Sequence, residues 1–200
     1  IGDSLKLESK TFFAFKKMEE AAKKDGIILK IVSAHRSFGR QSFIWNKKYD
    51  KFTKQYSFNP IDAINEIVRF STIPGTSRHH WGTDIDIIDG KYPDEKNVLM
   101  SEKYLKGGVF YDLKKWLSNN SEKYGFYLTY NNDPKRKGFE FEPWHYSYKS
   151  SSKKYLKALI NSDLEKFFKN KNLNGYEYFD KNFIDKYILE NIMDINPDLK

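Results

Sequence analysis

The stretch "SRHHWGTDIDI", residues 77–87, places two adjacent histidines and two aspartates in one short segment of a chain that has only four histidines among 200 residues. It runs into "TDIDII" (83–88), whose alternation of polar and apolar residues predicts a β-strand. The residues before it, 77–82, predict a loop that leads into this strand. Imidazole and carboxylate groups at such a junction are donors that a metal ion can use.

Zinc is the metal that these donors suggest. The chain has no cysteine, so a zinc site would have to use histidine and carboxylate ligands. His79 and Asp86 lie on either side of Gly82, which lets the backbone bend so that the two side chains converge. His145 could complete a set of three ligands. Glu142, just before it in the chain, is then the candidate base that takes a proton from the attacking water.

The spacing leaves two alternatives open. Asp84 and Asp86 share one face of the predicted strand, so either of them could be the ligand. His145 lies between Trp144 and Tyr146 and could be an ordinary residue of a core strand, because a single histidine is more often a hydrogen-bonded structural residue than a ligand.

The surrounding sequence predicts an α+β fold, in which a small antiparallel sheet carries the metal site and helices flank it. Helical periodicity runs from Leu5 to a stop at Asp25 and Gly26, and Asn59 followed by Pro60 predicts the start of another helix. Strands are predicted at "IILKIV" (27–32), "TDIDII" (83–88), "FYLTY" (126–130) and "FEFEPWHYSY" (139–148).

The domain organisation predicted from these patterns is one core with an appendage. We expect residues 1–150 to form the core that holds the metal site. From Ser151 onward the chain is rich in lysine and carries apolar stripes at helical spacing. Residues 151–200 are therefore expected to form a helical extension that packs on the core.

The formal net charge of +8 predicts attraction to polyanions. Sequence-specific nucleic-acid binding is not expected, because base recognition relies on bidentate arginine and most of the positive charge here is lysine. Anionic cell-wall polymers are an alternative partner. No apolar run reaches the roughly 18–20 residues of a membrane helix. Because the sequence begins at Ile1 without a methionine, we expect that an export signal preceded it.

Four blocks of the sequence resemble the VanY-type D-alanyl-D-alanine carboxypeptidases, a zinc peptidase group that also includes the VanX dipeptidases and is related to lysostaphin and the hedgehog domain. "SRHHWGTDID" matches the pattern S-x-H-x-x-G-x-A-x-D, and "EPWH" matches the second metal block. "SAHRSFGRQ" resembles the block S-G-Y-R-S-x-x-x-Q, and "WLSNNSEKYGFYLTY" resembles the stretch between the metal blocks. The blocks stand in the family's order between residues 27 and 148.

The resemblance implies roles for individual residues. It implies that the zinc ligands are His79, Asp86 and His145 and that Glu142 is the catalytic base. It also implies that Arg36 binds substrate and the developing oxyanion and that Ser77 lines the substrate pocket. Gln41, in register with the arginine block, and Trp144, next to a ligand, are further candidates for substrate binding.

Three positions depart from the family pattern. Asp84 stands where the family usually has alanine, His35 where it has tyrosine, and Ala34 where it has glycine. The carboxylate of Asp84 would either add an acidic group near the metal or simply bond to the fold, so the electrostatics of the site and the substrate preference stay open.

The function implied by the resemblance is a zinc metallopeptidase that removes the terminal D-alanine from peptidoglycan stem peptides, in the periplasm or at the cell wall of a bacterium. Two alternatives keep the fold and the metal: a peptidoglycan endopeptidase or lysin, and an LD-carboxypeptidase. A third alternative is a non-catalytic, basic module that binds the cell wall. Glu142 argues against the third, because a purely structural metal site needs no general base.

Overall fold

The computed structural model describes residues 5–200 of the chain. Within them, seven α-helices accompany a sheet of four antiparallel strands, which confirms the predicted α+β class. The helices are α1 (Ser9–Lys24), α2 (Phe38–Asp50), α3 (Pro60–Val68), α4 (Tyr111–Asn120), α5 (Lys149–Ile160), α6 (Leu164–Lys169) and α7 (Lys181–Tyr187). The strands are β1 (Leu29–Ser33), β2 (Asp84–Asp89), β3 (Phe126–Leu128) and β4 (His145–Tyr148).

The sheet has the strand order β1-β2-β4-β3, so β2 lies between β1 and β4 and all its residues are buried. The register of β2 and β4 pairs Asp86 with His145 and Asp84 with Ser147. Residues two apart in a strand point to the same side. These four polar side chains therefore form a compact group on one face of the sheet, although their strands are far apart in sequence.

Two helix starts show how local capping sets the boundaries. Asn59 caps α3, where its side chain accepts a hydrogen bond from the Asp62 N–H and proline occupies the first turn, as predicted. The expected start of the first helix at Leu5 is wrong. Glu8 caps α1 instead, because its carboxylate accepts from the Thr11 N–H at 2.9 Å, and the helix begins at Ser9.

The strand predicted over residues 139–148 is much shorter in the structure and begins only at His145. Its first half leaves the sheet: the Glu140 N–H donates to the Arg69 carbonyl, and the Glu142 N–H donates to the Tyr130 carbonyl. Pro143 cannot donate to a strand ladder, which explains why pairing starts after it. This irregular segment forms one wall of the candidate site described below.

Two apolar clusters hold the chain together. The first packs α1 and α4 against the sheet and includes Met18, Ile87 and Leu117. The second joins Trp45 of α2 and other residues of the first 150 to apolar side chains contributed by residues 156–199. Helix α5 follows β4 directly from Lys149, so the expected domain boundary falls inside its first turn. The division into a core and an extension stays a prediction.

A membrane span would require a long apolar helix. Over residues 5–200, no helix of this chain combines the necessary length and apolar composition.

Candidate metal centre

A short 3₁₀ turn, Arg78–Trp81, positions His79 in front of β2. Gly82 ends this turn at a φ of 69°, and a Cβ atom at this position would lie 3.0 Å from the backbone nitrogen of Glu8. Glycine is the residue that tolerates both the left-handed backbone and the close approach. The chain then enters β2, and His79, Asp86 and His145 come together with one ligand atom of each within 4.8 Å of the others.

The hydrogen bonds of His79 fix which ring nitrogen is available. Its Nδ1 atom lies 2.8 Å from the carbonyl oxygen of Ala34, which can only accept a hydrogen bond, so Nδ1 carries the proton. The other nitrogen, Nε2, is therefore the one that remains for a metal, and it faces Asp86 Oδ2 at 3.5 Å. The end of β1 thus orients one predicted ligand, because Ala34 directly follows that strand.

His145 lies among three carboxylates. Its Nε2 atom is 3.0 Å from Asp84 Oδ1, and its Nδ1 atom is 2.8 Å from Glu142 Oε2 and 3.8 Å from Asp86 Oδ1. Burial on its own lowers the pKa of the ring, but the hydrogen bonds with Asp84 and Glu142 outweigh it and raise the pKa of His145 to about 10. The site strongly favours positive charge at this position.

Asp86 has an incomplete set of hydrogen bonds. Its Oδ1 atom is buried and has no hydrogen-bond partner among residues 5–200. Burial on its own would raise its pKa, but His79, His145 and Arg36 lower the pKa of Asp86 below its usual range, so the carboxylate is ionised. A buried, ionised oxygen without a donor is costly unless a cation compensates it.

These residues fit a zinc ion. Nitrogen and oxygen donors from two histidines and one aspartate match the three-ligand sets of catalytic zinc sites, and the unpartnered Asp86 oxygen is the group that a cation would satisfy. The cluster also indicates which of the two aspartates is the candidate ligand, a question that the spacing leaves open. Asp86 faces the other two ligands, whereas Asp84 lies on the far side of the His145 ring and is hydrogen-bonded there.

Glu142 and His145 are linked by a tight turn. The His145 N–H donates to the Glu142 carbonyl at 3.0 Å, with Pro143 at the second position of the turn, where proline is favoured. This turn brings the two side chains within hydrogen-bond distance, as noted above. The side chain of Glu142 remains 20% exposed, so it can reach a group in the adjoining space.

That space is a cleft of about 790 Å³. Of the predicted site residues, seven line it: Arg36, Ser77, His79, Asp86, Glu142, Trp144 and His145. Trp144 is 9% exposed and packs against Tyr104, with ring centroids 5.6 Å apart, so it forms part of the wall. The structure therefore brings the predicted ligands, the predicted base and the predicted substrate residues together, with one exception.

The exception is Gln41, which is not among the residues that line the cleft and is only 1% exposed. Its side-chain oxygen accepts a hydrogen bond from Arg36 Nη1 at 3.0 Å, and its amide donates to the Thr72 carbonyl at 2.8 Å. Ser33 accepts from Arg36 Nη2 at 3.2 Å. Gln41 and Ser33 thus hold Arg36 from behind, and the remaining guanidinium donors are available to the cleft.

The contacts of His80 and Lys48 near the cleft could not be predicted from the spacing of residues in the sequence. His80 accepts a hydrogen bond from the Gly75 N–H through Nε2, so its Nδ1 carries the proton and donates to the Arg36 carbonyl at 2.5 Å. Lys48 donates to Ser71 at the rim of the cleft, near Arg36 and Glu142. Lys48 lies four residues after Ile44, which lines the cleft, so the two side chains share one face of helix α2. The position of that face beside the cleft is known only from the fold.

Comparison with known proteins shows the family of the chain. The family described as VanY, D-alanyl-D-alanine carboxypeptidase, matches residues 4–151. The chain is 34% identical over 161 residues to YodJ of Bacillus subtilis, a candidate carboxypeptidase, in an alignment covering 78% of this chain and 50% of that protein. It is 29% identical over 131 residues to a D-alanyl-D-alanine carboxypeptidase of Enterococcus faecalis, covering 64% and 43%. The chain thus spans about half the length of these relatives.

Solved structures share the fold. A vancomycin-resistance D,D-pentapeptidase, VanY, in complex with Zn(II) aligns with a TM-score of 0.57 at 20% identity, covering 90% of this chain and 87% of that one. The LD-carboxypeptidase LdcB aligns with a TM-score of 0.55 at 25% identity, covering 90% and 72%.

Proposed function

The chain belongs to the VanY family of D-alanyl-D-alanine carboxypeptidases, and on that basis we propose that it is a zinc-dependent carboxypeptidase that removes the terminal D-alanine from peptidoglycan stem peptides. The observation that supports this most is the convergence of His79, Asp86 and His145 beside Glu142 in a cleft that also contains Arg36. Such a reaction needs three metal ligands, a carboxylate that acts as general base and a positive group that binds the substrate's terminal carboxylate.

In this proposal the metal is held by His79 through Nε2, by the Asp86 carboxylate, and by His145 through Nδ1, the nitrogen that faces Asp86. When bound, zinc supplies Lewis-acid polarisation of the scissile carbonyl and lowers the pKa of water. Its double positive charge also offsets the negative charge of Asp86 and Glu142, which lie on the cleft side of His145.

Glu142 acts as the general base. Its carboxylate takes a proton from the attacking water while the water oxygen bonds to the scissile carbonyl carbon. As the carbon–nitrogen bond breaks, Glu142 passes the same proton to the leaving amine, so that no net proton is gained or lost. The turn from Glu142 to His145 fixes the base next to a ligand, which keeps it close to the reacting carbonyl.

Arg36 binds the free end of the substrate. Its guanidinium is held by Gln41 and Ser33, and the fork of donors that remains suits a carboxylate. Ser77 and Trp144 contribute walls of the same cleft. For Gln41 we therefore propose a positioning role behind Arg36 in place of the substrate contact expected from the sequence.

One alternative is favoured by a specific observation. The likeness to LdcB, an LD-carboxypeptidase, is compatible with a substrate whose scissile bond joins an L- and a D-residue. An endopeptidase would need no clamp for a chain end, so the presence of Arg36 in the cleft favours cleavage of the terminal residue.

The test is incubation of the zinc-loaded protein with defined muropeptides, followed by mass spectrometry. Loss of one alanine from a pentapeptide stem is the expected result. Loss of the terminal residue from a tetrapeptide stem alone would favour LD-carboxypeptidase activity, and internal cleavage would favour an endopeptidase. Amidation of the substrate's C-terminus should strongly reduce hydrolysis by the wild type, and should matter less to Arg36→Lys, which keeps the charge but loses the bidentate geometry.

Such substrates lie outside the cytoplasmic membrane, so we propose that the protein is exported and acts in the periplasm or at the cell wall. A second groove of about 790 Å³ would suit an anionic wall polymer. Five lysines line it, interleaved with aromatic residues, and no carboxylate among the described residues does. The lysines are Lys10, Lys17, Lys123, Lys149 and Lys153.

A further inference from the structure

Asp84 lies directly beside the candidate metal centre. Its carboxylate is completely buried and lies next to the predicted ligand His145. An isolated buried charge is strongly destabilising unless other groups compensate it. The buried carboxylate of Asp84 therefore calls for specific compensation.

The compensation is a set of hydrogen bonds that satisfies both carboxylate oxygens. Arg78 Nε donates to Asp84 Oδ1 at 2.8 Å, and this ion pair is buried on both sides. Thr83 and Ser147 donate to Oδ2 at 2.7 and 3.0 Å. Arg78 Nη2 also donates to Ser147 at 2.6 Å, which closes a ring of contacts. Burial on its own would raise the pKa of Asp84, but Arg78 holds it below the usual range.

The remaining contact of Asp84 is with the imidazole of His145. Asp84 Oδ1 lies 3.0 Å from Nε2, the nitrogen that points away from Asp86. A carboxylate at this position accepts a hydrogen bond from the Nε2–H, so Nδ1 is left as the nitrogen for a metal. The antiparallel register makes this possible, because Asp84 and Asp86 share one face of β2 and lie on either side of the ring from β4.

Arg78 is in turn held by a contact that extends beyond the segment that matches the family. Its guanidinium lies over the Trp81 ring at 4.8 Å, and Trp81 stacks on Tyr155 with centroids 5.9 Å apart and an angle of 26°. Tyr155 belongs to α5, and the family match ends at residue 151. The contacts thus run without a break from α5 through Trp81, Arg78 and Asp84 to His145.

We propose that the buried Arg78–Asp84 pair, supported by Trp81 and Tyr155, is a positioning device that orients His145 and strengthens its hold on zinc. This inference rests on the zinc site of the proposed function. Asp84 does not line the cleft and acts through His145, and Arg78 holds Asp84 in place. Helix α5 contributes to this arrangement, because its Tyr155 stacks on Trp81, which contacts Arg78.

The experiment measures zinc affinity of the metal-free protein by competition with a chelator, so it does not depend on hydrolysis of any substrate. The double variant Arg78→Met, Asp84→Ala removes both charges together and leaves no buried charge unpaired. We expect it to fold, as judged by thermal unfolding, and to raise the Kd for zinc by about 10–100-fold. Thr83→Val is the matched control, because it removes a hydrogen bond to Oδ2 but leaves the contact with His145, and its Kd should stay within about threefold.

A folded double variant that binds zinc as tightly as the wild type would overturn the proposal and reduce the pair to a structural element. If the double variant does not fold, Asp84→Asn serves in its place, because it keeps the shape of the side chain but removes the charge. A raised Kd in Asp84→Asn supports the proposal, and an unchanged Kd overturns it. Wild-type protein that binds zinc but cleaves no muropeptide would contradict the proposed function and leave this inference intact.

Discussion

The carboxylates on the two sides of the His145 ring differ in how well their oxygens are satisfied. On the inner side, both oxygens of Asp84 accept hydrogen bonds within a closed network. On the cleft side, Asp86 keeps a buried oxygen without a partner in residues 5–200. A fold gains nothing from an unsatisfied carboxylate, whereas a metal site requires one. We therefore expect the inner side to contribute to stability and the cleft side to bind the metal.

The largest effect is expected from Asp86→Ala on the cleft side. Loss of a ligand should reduce bound zinc from one ion per chain to almost none, as measured by metal analysis of protein purified without added zinc. Because Asp86 Oδ1 has no hydrogen-bond partner among residues 5–200, the metal-free variant should still fold, as judged by thermal unfolding. A variant that still carries a full equivalent of zinc would exclude Asp86 as a ligand.

Glu142→Ala should also separate function from stability. Removal of the general base is expected to lower turnover by about 10²–10⁴-fold while the zinc content stays close to that of the wild type. Turnover measured at saturating substrate, together with metal analysis of the same sample, checks both halves of this expectation. Activity close to the wild-type value would mean that another group takes the proton.

On the inner side we expect substitutions to affect the stability of the protein more than its turnover. Asp84→Ala alone leaves Arg78 buried without its partner, so the free energy of unfolding of the metal-free protein should fall by about 3–5 kcal/mol. Adding Arg78→Met should restore most of that loss, as measured by denaturant unfolding. If the single and double variants are equally unstable, the ion pair does not account for the cost.

These two sides also show what could be predicted from the sequence. The ligands and the base follow from short motifs, because a turn at Gly82 and a turn at Pro143 place them locally, and one strand pair then joins the two motifs. The network behind His145 could not be predicted. Arg78 and Ser147 are unremarkable in isolation and meet Asp84 only through the register of β2 with β4.

The same limit applies to the strands and to the positioning of Arg36. Alternation over residues 139–148 predicts one long strand, but the hydrogen bonds of Glu140 and Glu142 to distant carbonyls override it. Gln41 is placed near Arg36 by motif register, yet only the folded helix α2 shows that it lies behind the guanidinium and not in the cleft. Long-range contacts decide each of these cases.

The smallest effect is expected far from the metal, in the lysine-lined groove. Replacing three of its exposed lysines by glutamate should weaken binding to poly(glycerol phosphate) about tenfold at low salt, because each surface charge contributes well under about 1 kcal/mol. The variant is Lys10→Glu, Lys17→Glu, Lys153→Glu, and the matched control is Lys47→Glu, Lys135→Glu, Lys166→Glu, three exposed lysines outside the groove. Equal losses in both variants would show that only net charge matters.

If the cleft side of His145 is a catalytic zinc site, hydrolysis must depend on zinc, and a zinc titration of the metal-free protein measures this dependence. Release of the terminal D-alanine from a pentapeptide stem is followed as zinc is added. Activity should rise with zinc and reach a plateau at one equivalent per chain, and Asp86→Ala should show no such rise. Full activity in the metal-free protein, with no response to zinc, would contradict the claim.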